Sequence, residues 1–355
     1  MQVEPATARA SSDESARLRA GLLSLVVAIA LLGVKYFAYR LTGSSAVLSD
    51  ALESITNVVA AMFALGGLVF AGRPADRGHP YGHGKIEYFS AVFEGGLIAF
   101  AAVLILWQAF LSLRAGHVVH EVGLGIAITV AAGAVNAALG WYLVTTGRRV
   151  RSITLVADGK HVLSDFWTSL GVFIGLLLVQ LTGIDWLDPL AAAAVGVNLA
   201  ITGVRLVRQA AGGLLDEEDT ELLALLVRAF DRSLHPGIIR LHRLRAQRAG
   251  RFTHVDAHLI VPEYWTVEQA HEATDAFAEQ VLTACTVEGE IIFHTDPCRR
   301  ALCAICDVEG CPVRVEPFLG RPPLTLSEAT STDEDFWRSE HRPPAQPPSA
   351  FPAAS

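Results

Sequence analysis

The sequence predicts a polytopic α-helical membrane protein, six transmembrane helices followed by a small cytoplasmic α+β domain. Three observations lead there. Hydrophobic residues make up 52% of the 355 positions and charged residues only 18%, against about 25% charged in an ordinary soluble domain. Six stretches, roughly 21–41, 44–71, 89–113, 122–145, 153–182 and 186–208, reach the ~20 apolar residues that a helix needs to cross a hydrocarbon core. After residue 210 the texture changes to amphipathic segments with periods of 3.6 and 2.

Taken in order, residues 1–20 are polar and expected to be disordered. The first apolar run is too long for the core of a signal peptide and is followed by "KYFAYRLTG", with no small-residue cleavage site, so it is expected to remain as a span. Residues 21–210 are expected to form the six-helix membrane domain. Six spans put both termini on one side. The loop "AGRPADRGHPYGHGK" carries Arg73, Arg77 and Lys85, and "GRRVRSITLVADGK" carries Arg148, Arg149, Arg151 and Lys160, whereas the opposite turns offer little beyond Arg40 and Arg114. The positive-inside rule therefore assigns the termini and these two loops to the cytoplasm of an integral inner-membrane protein. In residues 211–297, "TELLALLVRAFDRS" and "TVEQAHEATDAFAEQVLTA" read as helices and "GIIRLHRLRAQ", "RFTHVDAHLIVP" and "EGEIIFHT" as strands, an α-β-β-α-β order with helices on one face of a short sheet. Residues 298–314 are cysteine-rich, and 315–355, rich in Pro, Ser and acid, are expected to be disordered. Much of the net charge of −8 lies in the acidic runs "DEEDTE" and "SEATSTDEDF"; no basic arm suggests a nucleic-acid partner. All five cysteines lie beyond residue 284, on the reducing side, which favours metal or redox chemistry over disulfides.

Two of the spans carry ionisable residues. "SDALESITN" holds Asp50, Glu53 and Asn57, and "ADGKHVLSD" holds Asp158, His161 and Asp165; both follow D-x-x-[E/H]-x-x-x-[N/D]. Positions i, i+3 and i+7 share one face of a helix, so each span presents a polar stripe. Such groups cost about 2.5–3.5 kcal/mol each to insert and usually line an ion or proton path. The competing reading is a set of helix–helix hydrogen bonds with no ligand, or charges reaching the interface from span ends, and Asp50 and Asp158 lie nearest those ends. Glu53, Asn57, His161 and Asp165 are the primary site: oxygen donors and one imidazole suit a divalent transition metal of intermediate softness. Lys35 is expected to reach toward the outer interface, Glu94 to be half-buried at the cytoplasmic end of its span, and Gly95 and Gly96 to let helices approach.

Together with "HPYGHGKIEYFSAVFEG" after the second span, "DPLAA" opening the sixth and a tail ending in "HTDPC", these features resemble the cation diffusion facilitator family over residues 20–298. The resemblance implies a homodimeric exporter of divalent metal ions driven by inward proton movement, whose cytoplasmic domain is a ferredoxin-like metal-binding module. His161 and Asp165 match the family's H-x-x-x-D positions. Glu53 and Asn57 fall on the second-span pair, where Asp or His followed by Asp is usual, so one formal charge is missing. Zinc is the first expectation for the transported and regulatory ion, iron(II) or manganese(II) next, with cobalt and cadmium also compatible. Asp76, His79 and His83 match a loop site of some members. His242, His258, His271, His294 and Asp296 match the domain's bridging-metal positions, where metal would be sensed and the dimer tightened; His254 has no counterpart.

Cys298, Cys303, Cys306 and Cys311 form a C-x4-C-x2-C-x4-C set that could hold zinc or an iron–sulfur cluster, or remain free thiols; Cys285 reads as a small buried hydrophobe. An enzyme is not expected: "HEATD" lacks the second histidine of H-E-x-x-H, and no G-x-S-x-G occurs. The alternative function is a non-transporting metal or redox sensor, or the partner subunit of an active transporter, motivated by Asn57 and the cysteines.

Overall fold

The computed structural model describes residues 6–42, 45–115, 124–184, 186–285 and 287–338, and within these the side chains of 6–11, 41–42, 45–53, 115, 124–130, 172, 175–176, 180 and 188 lie outside the description. The chain divides into two compact units, Met1–Glu217 with Ala249–Arg251, and Glu218–Arg248 with Phe252–Ser355.

The first unit holds six helices: α1 (Ala6–Thr42), α2 (Ser45–Ala71), α3 (Ile86–Ala115), α4 (Leu124–Arg149), α5 (Ile153–Thr182) and α6 (Leu187–Leu214). At ~1.5 Å per residue the shortest of them is about 39 Å long. Among the described residues, four contain windows that are long and apolar enough to cross a membrane, within Ser12–Arg40, Ser54–Ala71, Ile86–Arg114 and Pro189–Leu214. Helix α5 touches α2, α3, α4 and α6, so it is shielded on most sides by protein. That shielding is what allows it to carry ionisable residues. Its first turn is capped by Ser152, whose Oγ accepts from the Leu155 amide at 3.4 Å, and it ends where Gly183 takes a left-handed φ of +70°. Between α3 and α6, a Cβ on Gly95 would crowd the Gly203 carbonyl oxygen at 3.2 Å, and one on Gly203 would lie 2.7 Å from the Ala99 amide nitrogen, so the close approach depends on this glycine pair; Gly96 faces open space and has no such role.

Helix α1 begins well before the expected span. It starts at Ala6, and Arg17 and Ala20 are buried. The cause is a long-range polar contact: Arg17 donates from Nη1 to Glu87 Oε1 and from Nη2 to the Val150 carbonyl, both at 2.8 Å, while Ser152 Oγ donates to Glu87 Oε2 at 2.5 Å. Good helix formers in "ESARLRA" then extend the helix to meet that anchor.

The second unit has the expected order, α7 (Thr220–Ser233), β1 (Arg240–Ala249), β2 (Phe252–Val261), α8 (Val267–Cys285) and β3 (Gly289–Pro297). The sheet order is β1-β2-β3, with β2 and β3 parallel and His258 opposite His294. Asp219 caps α7, accepting from the Leu222 amide at 2.9 Å. One face of the sheet, through Leu241, Val255, Ala257 and Leu259, packs on Leu223, Leu226, Phe230, Phe277 and Val281 of the two helices. Cys285 joins this core, as expected.

The opposite face is covered by the cysteine-rich segment and by chain beyond residue 315 that the composition assigned to disorder. A 3-10 turn (Arg300–Ile305) and two short helices, α9 (Leu326–Ala329) and α10 (Asp333–Arg338), follow β3. Leu302, Cys306 and Phe336 pack on Ile239 and Ile260, and Leu324 and Ala329 are buried. Arg240, 1% exposed, grips Glu328 through two bonds of 2.6 and 2.7 Å and donates to the carbonyls of Pro322 and Pro323. A Pro-rich segment cannot build a core of its own, but its carbonyls are free acceptors, and a few apolar anchors suffice where a sheet face already exists. Residues 339–355 of the expected tail lie outside the described residues.

Candidate metal centres

Helices α2 and α5 bring three of the four expected intramembrane ligands together. Asn57 Nδ2 donates to Asp165 Oδ2, Asn57 Oδ1 lies 3.3 Å from His161 Nε2, and Asn136 Nδ2 on α4 reaches the same Asp165 oxygen at 3.5 Å. The side chains of Glu53 and Asp50 lie outside the described residues; on α2 they sit one and two turns before Asn57. Close together, then, stand a carboxylate, an amide oxygen and a buried imidazole, donors that a divalent ion can share once His161 Nε2 carries no proton.

Three neighbouring residues depart from expectation. Glu94 is fully buried rather than half-buried, with Oε2 3.9 Å from His161 Nδ1 and neither oxygen hydrogen-bonded. Lys35 is 6% exposed and lines a narrow cavity with Ser24, Ser54, Asn57 and Asn136, instead of reaching the outer interface. Asp158 is 1% exposed, so it is no span-end charge in water. Burial among neighbouring helices decides all three, and depth along one helix cannot reveal it. Asn136 was missed; its only signal was a lone amide in the apolar run "GAVNAALG".

Among the described residues, two sets of three side chains have ligand atoms within 4.8 Å of one another. The first is Asp76, His79 and His83, as expected. Asp76 Oδ1 accepts from the amides of Gly78 and His79 at 2.8 Å, and Asp76 Oδ2 lies 3.4 Å from His83 Nε2. The His79 amide holds the Asp76 carboxyl below its usual range; burial opposes it, and the Gly78 amide, the His79 ring and the nearby His83 add to the lowering. His83 is buried under Phe70, with Nδ1 unpartnered, which fixes one ligand of an otherwise exposed set.

The second set is His242, His258 and Asp296, on the sheet face opposite the helices. The strand period of 2 puts His294 and Asp296 on one face, and the parallel register sets His258 beside His294. His258 Nδ1 is 2.9 Å from Asp296 Oδ2, His242 Nε2 is 3.6 Å from the same oxygen, and the His258 and His294 rings are 4.6 Å apart. Burial pushes the His242 imidazole below its ordinary range, with the carboxylates of Asp333 and Asp296 opposing, so the neutral form that a metal needs is favoured. This donor set, two imidazoles and a carboxylate, fits a zinc-like ion. His271 is not brought to it; it is exposed on α8, 3.5 Å from Asp275. Accordingly, His258→Ala is expected to weaken zinc binding by this domain by at least about tenfold, and His271→Ala to leave it unchanged in the isolated protomer, as read by competition with a chromophoric chelator.

None of the four residues of the cysteine set is in a disulfide, and they are not among the sets whose ligand atoms converge among the described residues. Cys303 and Cys306 are buried, and burial pushes the Cys298 and Cys306 thiols up. Arg314 organises the loop by donating to the carbonyls of Cys303, Cys306 and Val308 at 2.8–2.9 Å.

A family model for the cation efflux transmembrane domain matches residues 21–215, and one for the cytoplasmic domain of cation efflux proteins matches residues 227–298. The chain belongs to this family of membrane transporters, the one that its motifs resemble. Among its relatives, an uncharacterized transporter of Synechocystis sp. is 37% identical over 276 residues, covering 78% of this chain and 89% of that one. A cation-efflux pump, FieF, of Serratia proteamaculans is 29% identical over 281 residues (79% and 92%), and metal tolerance protein C1 of Arabidopsis thaliana is 28% identical over 292 residues (78% and 61%).

Proposed function

We propose that this protein exports divalent transition-metal ions, zinc first and iron(II) or manganese(II) next, by exchanging cytoplasmic metal for protons. In this reading all six long helices span the membrane, both termini are cytoplasmic, and the working unit is a homodimer. The observation that carries it is the convergence of Asn57, His161 and Asp165 between α2 and α5, inside a unit with membrane-crossing helices. Ion export draws support from the relatives named cation-efflux pumps. Proton exchange follows from ligand chemistry: His161 must be neutral and Asp165 ionised to hold a metal, so protons arriving from an acidic outer side displace it.

The test is flux into sealed proteoliposomes containing a pH reporter, with zinc, iron(II), manganese, cobalt and cadmium offered in turn. Metal entry with opposite proton movement is expected. Asn57→Asp sets a second carboxylate against Asp165 and is expected to change the ranking of the ions. Absence of flux for every ion, with metal still bound by the cytoplasmic domain, would turn the assignment to a sensor or partner subunit.

A further inference from the structure

We propose that Asp333 is a ligand of the metal held by His242, His258 and Asp296, so that metal binding clasps the C-terminal segment Leu324–Arg338 onto the sheet. The inference rests on reading that trio as a metal centre. Asp333 lies beyond residue 298, where the match to the family's cytoplasmic domain ends. Its Oδ1 is 2.9 Å from His242 Nε2 and 3.7 Å from His258 Nδ1, while Asp296 Oδ2 is 3.6 and 2.9 Å from the same two nitrogens. A tetrahedral ion with ~2.0–2.1 Å bonds has ligand–ligand edges of about 3.3–3.4 Å. The four distances fall on both sides of that value, so seating an ion between both carboxylates and both rings needs the two 2.9 Å pairs to open and the 3.6 and 3.7 Å pairs to close, each by about 0.5 Å or less. Two neutral imidazoles and two carboxylates also neutralise a divalent charge, which the trio alone leaves half-balanced.

The segment is held in place by contacts that do not involve the metal. Phe336, 4% exposed, stacks on the His242 ring at 4.5 Å and 11°. Asp333 Oδ2 accepts from Arg243 Nη1 at 2.9 Å, which leaves Oδ1 turned to the histidines. Arg243 itself adopts a left-handed φ of +51°, and its amide donates to the Ser331 carbonyl at 3.0 Å. Further along, Arg240 and Glu328 form the two-bond ion pair described above. The segment is thus docked and oriented in advance, and Asp333 is the contact whose strength depends on the ion.

Hydrogen exchange over residues 324–338 of the full chain in detergent, with and without zinc, tests this, together with zinc affinity by chelator competition. Zinc is expected to slow exchange of the segment roughly tenfold or more in wild type, in Glu334→Gln and in Asp333→Glu, which keeps a carboxylate, but not in Asp333→Asn or His258→Ala. The affinity that depends on His258 should fall at least about tenfold in Asp333→Asn. Zinc that leaves exchange unchanged or speeds it, or that binds Asp333→Asn as tightly as wild type, would overturn the proposal and make Asp333 a bystander or a plug. Absence of any His258-dependent zinc binding in wild type would overturn the trio as a metal centre, and the clasp with it.

Discussion

Asp165→Ala is expected to bring metal flux into proteoliposomes down to the protein-free background. Asp165 supplies the carboxylate among the three side chains seen to converge, and both Asn57 and Asn136 donate toward it, so its loss also frees the amides that it orients. A single ligand bond worth ~3 kcal/mol is already more than a hundredfold in affinity. Asp165→Asn keeps the shape and removes the charge; it should be as inactive as the alanine variant while leaving thermal unfolding in detergent unchanged. Flux retained in either variant would remove Asp165 from the transport path.

The second large effect concerns the fold of the membrane unit. Glu87→Ala is expected to destabilise it by about 3–5 kcal/mol, the usual consequence of leaving a buried charge without its partner. Arg17 and Glu87 have side chains 8% and 1% exposed, and with Glu87 gone the guanidinium keeps, among the described residues, the backbone carbonyls of Val150 and Arg151. Thermal unfolding in detergent reads this directly. Glu217→Ala serves as control, because its ion pair with Arg208 stands in solvent and contributes little; an equal shift in both variants would show that burial of the Arg17 pair carries no special weight.

The convergence of Asn57, His161 and Asp165 was legible in advance because it depends on helix periodicity, a property of a few consecutive residues, plus the rule that polar faces of membrane helices turn inward. For His258, His294 and Asp296 the expectation rests only on the family resemblance; strand alternation puts His294 and Asp296 on one face, and the β2–β3 register, which alternation does not give, sets His258 beside them. His271 shows where that reasoning stops: its resemblance to a family position says nothing of which atoms it meets within one protomer. The Pro-rich tail misled for a related reason. Composition reports whether a segment can fold alone, and residues 324–338 do not need to, since they lie on a sheet face that other residues have built.

The sequence by itself determined the membrane character of the chain, the order of its elements and the polar stripes on its second and fifth long helices, all consequences of local hydrophobicity and periodicity. Only the tertiary structure decided that Arg17 meets Glu87 across 70 positions, that Glu94 stands buried beside His161, and that Asp333 returns across 91 positions to His242. The entropy of closing a loop grows only slowly with its length, so distant partners are scarcely harder to join than near ones. Which distant residues meet is therefore settled by complementary packing and charge at the place where the chain returns, and no window of neighbouring residues contains that information.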